Sequence, residues 1–111
     1  MRHILFTTKG CPYELLDDEQ HICAVLIAAA DISNSQLLNV ASHKFDPHGV
    51  TAVALLAESH ISMHTWPESG MAVCDVFTCG EHTKPELAAE YIHATMGGTE
   101  IISETFTRPL Q

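Results

Sequence analysis

Two pairs of strand-like runs, each joined by a short turn containing proline and glycine, fill the middle of this 111-residue sequence. Proline fixes one backbone angle in such a turn, and glycine accepts a left-handed conformation that other residues avoid. Runs joined in this way are typical of antiparallel neighbours in one sheet. The four runs are residues 36–45, 50–57, 61–66 and 71–77, and the turns are residues 46–49 and 67–70.

Two stretches on either side of this region have the apolar spacing of amphipathic helices. The first apolar stripe lies within residues 15–29 and the second within residues 87–95. Thr83 and Glu86 have the spacing of a capping box before the second helix, and Pro85 suits its first turn. The pair of glycines that follows suits the end of this helix.

Short strand-like runs at residues 2–8 and 100–106 begin and end the chain. The apolar stripe of each helix must pack against something, and the rest of the chain offers strands. We therefore predict an α+β fold with the element order β-α-β-β-β-α-β. The expected architecture is a two-layer sandwich, an antiparallel sheet with two helices on one face. The whole of residues 1–111 is expected to form a single domain.

The charge of the chain excludes some classes of partner. There are 5 basic and 14 acidic residues, which give a formal net charge of −9. Such a charge repels the phosphates of nucleic acids and the headgroups of anionic lipids. We therefore expect no nucleic acid and no membrane as a partner, whereas a small cationic substrate is attracted by the same field.

The sequence also indicates where the protein resides. Its longest apolar run, residues 22–30, is shorter than the roughly 20 residues that span a bilayer. Residues 1–8 lack the sustained apolar core of a signal peptide. We therefore expect a cytoplasmic protein, in which cysteines stay reduced. The four expected free thiols are Cys11, Cys23, Cys74 and Cys79.

Residues 57–68 carry more reactive polar side chains than a strand needs for packing. Alternation in an extended chain places His60, Ser62 and His64 on one face. We expect Met63 and Trp66 not to share that face. A strand with three polar groups on one side is typical of a functional site rather than of a core.

Three motifs follow one another in this part of the chain, namely Glu58-Ser59-His60, His64-Thr65-Trp66-Pro67-Glu68 and Phe77-Thr78-Cys79-Gly80. Upstream of them stand Phe45, Pro47, Gly49-Val50-Thr51 and, at the start, Arg2-His3. In this order and spacing they resemble the prokaryotic S-adenosylmethionine decarboxylase proenzyme family, whose members depend on a pyruvoyl group. The resemblance covers most of the chain and needs no gap between Phe45 and Cys79.

The resemblance implies a cofactor made from the chain itself. Decarboxylation next to an amine leaves a carbanion, which needs an electron sink such as a carbonyl that forms a Schiff base with the amine. No coded side chain has such a carbonyl. Ser59 matches the serine that becomes the pyruvoyl group. Autocatalytic cleavage between Glu58 and Ser59 is then expected to give a β chain, 1–58, and an α chain, 59–111, with an N-terminal pyruvoyl group.

The same resemblance implies roles for two further residues in the cleavage. Thr51 contributes its hydroxyl at a position where serine is expected. His64 acts as a hydrogen-bond donor and as the base for elimination. Since the N→O acyl shift is uphill in an ordinary peptide, we also expect backbone strain at Ser59 and donors to the developing oxyanion.

Four residues match positions that serve the processed enzyme. Cys79 matches the donor that returns a proton to the substrate, and a free thiol is mostly protonated at neutral pH. Phe45 matches the residue that stacks on adenine, and Trp66 is expected to line the same pocket. Glu68 matches the carboxylate that accepts hydrogen bonds from the ribose hydroxyls. The sulfonium of the substrate favours aromatic faces through cation–π attraction.

The implied reaction is the decarboxylation of S-adenosylmethionine. Its product donates aminopropyl groups for spermidine and thus polyamine biosynthesis. The resemblance further implies a homodimer of processed protomers. It implies no metal and no cofactor besides the pyruvoyl group.

One alternative is a metal-binding protein that is not an enzyme. In this hypothesis His60, His64, Cys79 and His82 form a zinc set. The four-residue separation of the two histidines suits one face of a helix, whereas β-branched residues and Pro67 favour a strand.

A second alternative keeps the pyruvoyl group and changes the substrate. Thr7 stands where the family has an acidic residue, and loss of a carboxylate can alter which cation is held. The scaffold then decarboxylates a basic amino acid such as arginine or ornithine. A third alternative is an inactive relative that serves as a partner subunit, although the complete set of Ser59, His64 and Cys79 argues against it.

Overall fold

The computed structural model describes residues 1–109, so that the last two residues of the predicted domain, 110 and 111, lie outside the described residues. Six strands form one antiparallel sheet. They are β1 (Arg2–Lys9), β2 (Leu37–Lys44), β3 (Val50–Leu56), β4 (Ser59–Trp66), β5 (Met71–Thr78) and β6 (Glu100–Thr107). Their order across the sheet is β2-β3-β4-β5-β1-β6. The α+β class is confirmed, and each of the four runs predicted between the helices forms a strand. The predicted element order counts only three strands there and is therefore short by one.

The first predicted helix is two helices, α1 (Tyr13–Leu16) and α2 (Glu19–Ile32). The break between them follows from the acidic pair Asp17-Asp18. The side chain of Asp18 accepts a hydrogen bond from the backbone nitrogen of His21 at 3.0 Å and so caps the start of α2. The predicted apolar stripe continues through both helices, since Leu16 and Ile22 are buried on the same core.

The third helix, α3 (Pro85–Thr95), begins with the proline that the sequence predicted and is followed by Gly97 in a left-handed conformation. The predicted capping box is wrong. Lys84 occupies the N-cap position, and no side chain caps the helix there. The Thr83 hydroxyl instead donates to the carbonyl of Gly80 and accepts from Thr78, because the chain turns there to leave β5.

The helices cover one face of the sheet and form the core with it. Helix α2 packs on β2, β3 and β4, while α3 packs on β1 and β5. Alternate side chains of the central strands point into this layer, and among them Ile61, Met63 and Val76 are fully buried. The four cysteines are free thiols, as predicted. Among the helices of the described residues, none has both the length and the apolarity needed to cross a membrane.

The opposite face of the sheet has no helix against it in the described part of the chain and is here called the open face. The strand register places on it Leu5, Leu55, His60, Ser62, His64, Trp66, Val73, Asp75, Ile102 and Phe106. The prediction that His60, Ser62 and His64 share a face is therefore confirmed. Trp66 lies on this face as well, contrary to expectation, because it is an even number of residues from His64 in the same strand.

Candidate active site

Ser59 lies at the start of β4, directly after the tight connection from β3. Its φ angle is +154°, a region that residues with a side chain rarely adopt. Such a conformation costs on the order of 1–3 kcal/mol and persists only where the surrounding structure holds it. The expected backbone strain is therefore present, and it lies at the residue proposed to react.

The carbonyl oxygen of Glu58 accepts two hydrogen bonds from Cys79. The thiol donates at 3.0 Å and the backbone nitrogen at 3.3 Å. Two donors that converge on one carbonyl oxygen have the arrangement of an oxyanion hole, which stabilises negative charge on that oxygen. Glu58, Ser59 and Cys79 are called the Ser59 cluster below.

The side chain of Glu58 holds this connection in place. Its carboxylate accepts from His82 at 2.8 Å and from the backbone nitrogen of Gln36 at 3.0 Å. Both hydrogen bonds lower the pKa of Glu58 below its usual range, and the one from His82 has the larger effect. The carboxylate thus ties the end of β3 to the loop after β5 and to the start of β2, while the backbone carbonyl of Glu58 stays with Cys79.

A cavity of about 340 Å³ lies at the other end of β4. Five predicted site residues line it together, namely Phe45, Thr51, His64, Trp66 and Glu68, called the His64 cluster below. The Thr51 hydroxyl and His64 Nδ1 are hydrogen-bonded at 3.0 Å, so threonine keeps the contact expected of serine. Glu68 Oε1 lies 3.0 Å from His48 Nε2 as an ion-pair contact, and Phe45 and Trp66 are half-exposed, which leaves their ring faces accessible to a ligand.

The two clusters are separate within one protomer. Ser59 and His64 are five residues apart in a single strand. Because a strand rises about 3.3 Å per residue, their Cα atoms are about 16 Å apart. One protomer therefore presents Ser59 with Cys79, and His64 with the cavity, but does not bring the two sets into contact.

Sequence reasoning assigned no role to Asp75, which the structure places at the centre of the open face. Its carboxylate accepts hydrogen bonds from His3 at 2.7 Å, from His60 at 2.9 Å and from the Ser62 hydroxyl. A signal was present in the sequence, since Asp75 is the one charged residue within the predicted strand 71–77. His60 also lies at hydrogen-bond distance from Ser59, with Oγ and Nδ1 separated by 3.3 Å.

The proposed zinc set is not brought together. His60 is hydrogen-bonded to Asp75, and His64 is hydrogen-bonded to Thr51. The two histidines are four positions apart in one strand, so their Cα atoms lie about 13 Å apart. Cys79 and His82 are both engaged by Glu58. The metal hypothesis with these four ligands is therefore wrong.

The comparisons with known proteins agree with this geometry. A model of the family described as S-adenosylmethionine decarboxylase matches residues 2–109, which is nearly the whole chain. The chain belongs to the S-adenosylmethionine decarboxylase family. The motifs quoted from the sequence therefore identified the family correctly.

Curated relatives within the S-adenosylmethionine decarboxylase family share the name S-adenosylmethionine decarboxylase proenzyme. The protein of Synechococcus sp. (strain WH7803) is 43% identical over 107 residues, which cover 96% of this chain and 84% of that protein. The protein of Methanococcus maripaludis is 53% identical over 85 residues, which cover 77% of this chain and 70% of that protein. These names describe a precursor, and they lend no support to a basic amino acid as the substrate or to a metal-binding role.

A solved structure of the same family confirms the fold. The crystal structure of the adenosylmethionine decarboxylase from Aquifex aeolicus superimposes with a TM-score of 0.92 at 36% sequence identity. The match covers 99% of this chain and 91% of that chain. The sheet, the helices on one side of it and the open face are therefore features of this S-adenosylmethionine decarboxylase family fold.

Proposed function

We propose that this chain cleaves itself between Glu58 and Ser59 and that the processed enzyme decarboxylates S-adenosylmethionine. The proposal rests on one observation above all. The Glu58 carbonyl oxygen accepts from two donors of Cys79, and the residue that follows this carbonyl is the strained Ser59. A peptide bond with a polarised carbonyl and a strained neighbour is the one that an adjacent hydroxyl attacks most easily.

The cleavage begins with an N→O acyl shift. Ser59 Oγ bonds to the carbonyl carbon of Glu58, and the bond from that carbon to the Ser59 nitrogen breaks. The hydroxyl proton ends on this nitrogen, and an ester joins Glu58 to Ser59. The two donors of Cys79 stabilise the oxyanion of the intermediate, because they already point at the oxygen that becomes charged.

A β-elimination and a hydrolysis complete the cleavage. A base removes the Ser59 Cα proton, a double bond forms between Cα and Cβ, and the bond between Cβ and Oγ breaks, so that the β chain, 1–58, ends in the α-carboxylate of Glu58. Water then replaces the nitrogen, which leaves as ammonia, and residue 59 becomes a pyruvoyl group on the α chain, 59–111. We assign the removal of the Cα proton to His64, whose Nδ1 is held by Thr51.

The neighbours of Ser59 fit a pyruvoyl group made at this position. Its ketone supplies the electron sink that loss of carbon dioxide next to an amine requires. Cys79 holds a proton near this group and donates it to the substrate α-carbon. The aromatic faces of Phe45 and Trp66 bind the adenine and attract the sulfonium, while Glu68 accepts from the ribose hydroxyls.

We further propose that two protomers complete each site. A homodimer that stacks two open faces about a two-fold axis near the middle of β4 sets each Ser59 against the partner's His64. The open face suits such an interface, since Leu5, Leu55 and Ile102 expose between 41% and 52% of their surface there. Association therefore removes apolar area from water and closes the separation of about 16 Å between the two clusters.

The product of this reaction is decarboxylated S-adenosylmethionine, an aminopropyl donor for spermidine and polyamine synthesis. We assign the reaction to the cytoplasm, where Cys79 stays a thiol and can donate. The acidic chain, with its formal net charge of −9, favours approach of the cationic substrate.

The cleavage is tested by intact mass measurement under denaturing conditions. We expect two chains that meet between residues 58 and 59, with the second lighter by one ammonia than the same chain with an N-terminal serine. The Ser59→Ala variant should remain full length. Recovery of the wild type as one uncut chain, with no carbonyl that borohydride can reduce, contradicts the proposal.

The substrate is tested by release of labelled carbon dioxide from S-adenosylmethionine, arginine and ornithine. We expect release from S-adenosylmethionine alone, and Phe45→Ala should raise KM for it because the adenine loses a stacking face. Release from arginine or ornithine at a comparable kcat/KM overturns the assignment of the substrate while leaving the pyruvoyl group in place.

The shared site is tested by co-expression of two differently tagged variants. Ser59→Ala supplies an intact His64 cluster, and His64→Ala supplies an intact Ser59 cluster. In hybrid dimers isolated through both tags, the His64→Ala chain should be cut, although it stays uncut when expressed alone. Hybrid dimers in which that chain remains uncut contradict a site built from two protomers.

A further inference from the structure

His60 connects the Ser59 hydroxyl to a partly buried carboxylate, that of Asp75. Its Nδ1 lies 3.3 Å from Ser59 Oγ, and its Nε2 lies 2.9 Å from Asp75 Oδ2. The side chains of His60 and Asp75 are only 33% and 21% exposed. A hydroxyl, an imidazole and a carboxylate in series are the arrangement in which a base activates a nucleophile and is itself oriented by a third group.

The carboxylate decides which nitrogen of His60 carries the proton. Burial by itself raises the pKa of Asp75, but hydrogen bonds from Ser62, His3 and His60 outweigh it, so the pKa lies below its usual range. An ionised carboxylate only accepts hydrogen bonds, so Nε2 of His60 must donate to it. In the neutral ring, Nδ1 then has a free lone pair directed at the Ser59 hydroxyl.

We propose that His60 is the general base of the acyl shift and that Asp75 is its positioning residue. As Ser59 Oγ bonds to the Glu58 carbonyl carbon, Nδ1 takes the hydroxyl proton. It then gives this proton to the Ser59 nitrogen as the bond from that nitrogen to the carbonyl carbon breaks. The proton taken from the Ser59 hydroxyl ends on the Ser59 nitrogen, and His60 returns to its starting state. This inference rests on the proposed self-cleavage and adds a residue to it.

The assignment separates two histidines by step. His60 acts before the ester forms, because it touches the oxygen that becomes part of the ester. His64 acts after the ester forms, since elimination requires loss of the Cα proton. The two steps can be told apart by hydroxylamine, which cleaves esters but leaves ordinary peptide bonds intact.

His3 provides a matched control. It donates to the same oxygen of Asp75 at 2.7 Å, but its hydrogen bonds go to Asp75 and Arg108, with none to Ser59. His3→Gln therefore perturbs the same carboxylate without removing the proposed base. Asp75→Asn tests the tautomer of His60. An amide can donate to Nε2 and so place the ring proton on Nδ1, which then has no lone pair for the Ser59 hydroxyl.

The experiment follows cleavage of precursors made by cell-free translation, with circular dichroism to check that each variant folds. We expect His60→Gln to cleave about 10²–10⁴-fold more slowly than the wild type, the usual contribution of a general base. Hydroxylamine should not cut this variant, whereas it should cut His64→Ala at residue 59. Asp75→Asn should also be slow, and His3→Gln should stay within a few-fold of the wild type.

Rescue of cleavage by added imidazole distinguishes a general base from a residue that is only structural. Added to His60→Ala, which leaves space beside Ser59, it should restore cleavage in proportion to its unprotonated fraction. His60→Gln that cleaves at the wild-type rate, or that accumulates an ester cut by hydroxylamine, overturns the role of His60. A wild type that is itself never cut overturns the self-cleavage proposal instead, so the two failures are distinguishable.

Discussion

At the scale of single residues, the proposed mechanism gives Cys79 a part in two reactions. Before cleavage its thiol and backbone nitrogen donate to the Glu58 carbonyl oxygen. In the proposed mechanism, cleavage makes this carbonyl part of the terminal carboxylate of the β chain, and the thiol is then available to a substrate. The other thiols near the sheet cannot do this, because burial in the core raises the pKa of Cys11 and Cys74 and keeps both from solvent.

Substitution of Cys79 should therefore slow the cleavage as well as the decarboxylation. Loss of one donor to an oxyanion costs up to about 10²–10³ in rate, although the backbone nitrogen remains in Cys79→Ala. Cys79→Ser keeps a donor and should cleave faster than Cys79→Ala. A time course of cleavage measured by electrophoresis checks this, with Cys23→Ala as the control. Equal rates for the alanine and serine variants contradict the role of the thiol.

The lowered pKa of Asp75 predicts a pH dependence of stability. A carboxyl group whose pKa is lower in the folded state contributes stability above its unfolded pKa, about pH 4. That contribution is lost as the pH falls through the lower folded value. In a Ser59→Ala background, we expect the difference in Tm between Asp75 and Asp75→Asn chains to shrink as the pH is lowered below 4. A difference that stays constant from pH 6 to pH 3 contradicts it.

At the scale of elements, strand β4 organises the site. From His60 onward its even-numbered residues face the open side, while the odd-numbered Ile61, Met63 and Thr65 are buried in the core. His60 and His64 therefore lie on the face that carries the candidate site, while Ile61 and Met63 are buried on the other face and stabilise the core. Helix α2 supports β4 from the buried side, so its own stability contributes to the placement of the site.

The N-cap of α2 gives a prediction for this element. Asp18→Ala removes the acceptor for the His21 backbone nitrogen and should destabilise the protein by about 1 kcal/mol. Asp31→Ala, near the other end of the same helix, should not destabilise it, because a negative charge is unfavourable at a helix C-terminus. Urea unfolding of both variants measures the free energies. Equal losses in both variants contradict the capping role of Asp18.

At the scale of the whole molecule, the two faces of the sheet have different surroundings. The helices cover one face, and the open face is left with apolar and reactive side chains mixed together. A surface of this kind is typical of an interface that also carries a site. The proposed self-cleavage therefore depends on the proposed dimer, because the Ser59 and His64 clusters of one protomer do not meet.

A charge placed in the proposed interface should abolish both properties. Leu5→Glu puts a carboxylate on the open face, where Leu5 is 41% exposed, and should give monomers that do not cleave themselves. Ile27→Glu changes an equally apolar residue, 47% exposed on α2, and should leave the dimer and the cleavage intact. Light scattering after size-exclusion chromatography measures the mass. A monomeric wild type, or a Leu5→Glu chain that still cleaves, contradicts the coupling.

The sequence by itself determined the class of fold and the ends of most strands. Turn residues and apolar alternation are local signals, so the predicted runs agree with the strands to within about two residues. The motifs around Ser59, His64 and Cys79 likewise identified the family, because order and spacing are properties of the chain alone. The capping box at Thr83 failed, since a local pattern of this kind cannot register the hydrogen bonds that Thr78 and Gly80 offer after β5.

Only the tertiary structure decided which of the predicted residues act together. The pairing of strands brings Cys79 to the Glu58 carbonyl and Asp75 to His60, across sequence separations that no periodicity encodes. Because β4 is extended, Ser59 and His64 do not meet, although they are only five residues apart in the sequence. Hydrogen bonds depend on register and on single backbone angles such as the φ of Ser59, and these are set by the packing of the whole sheet.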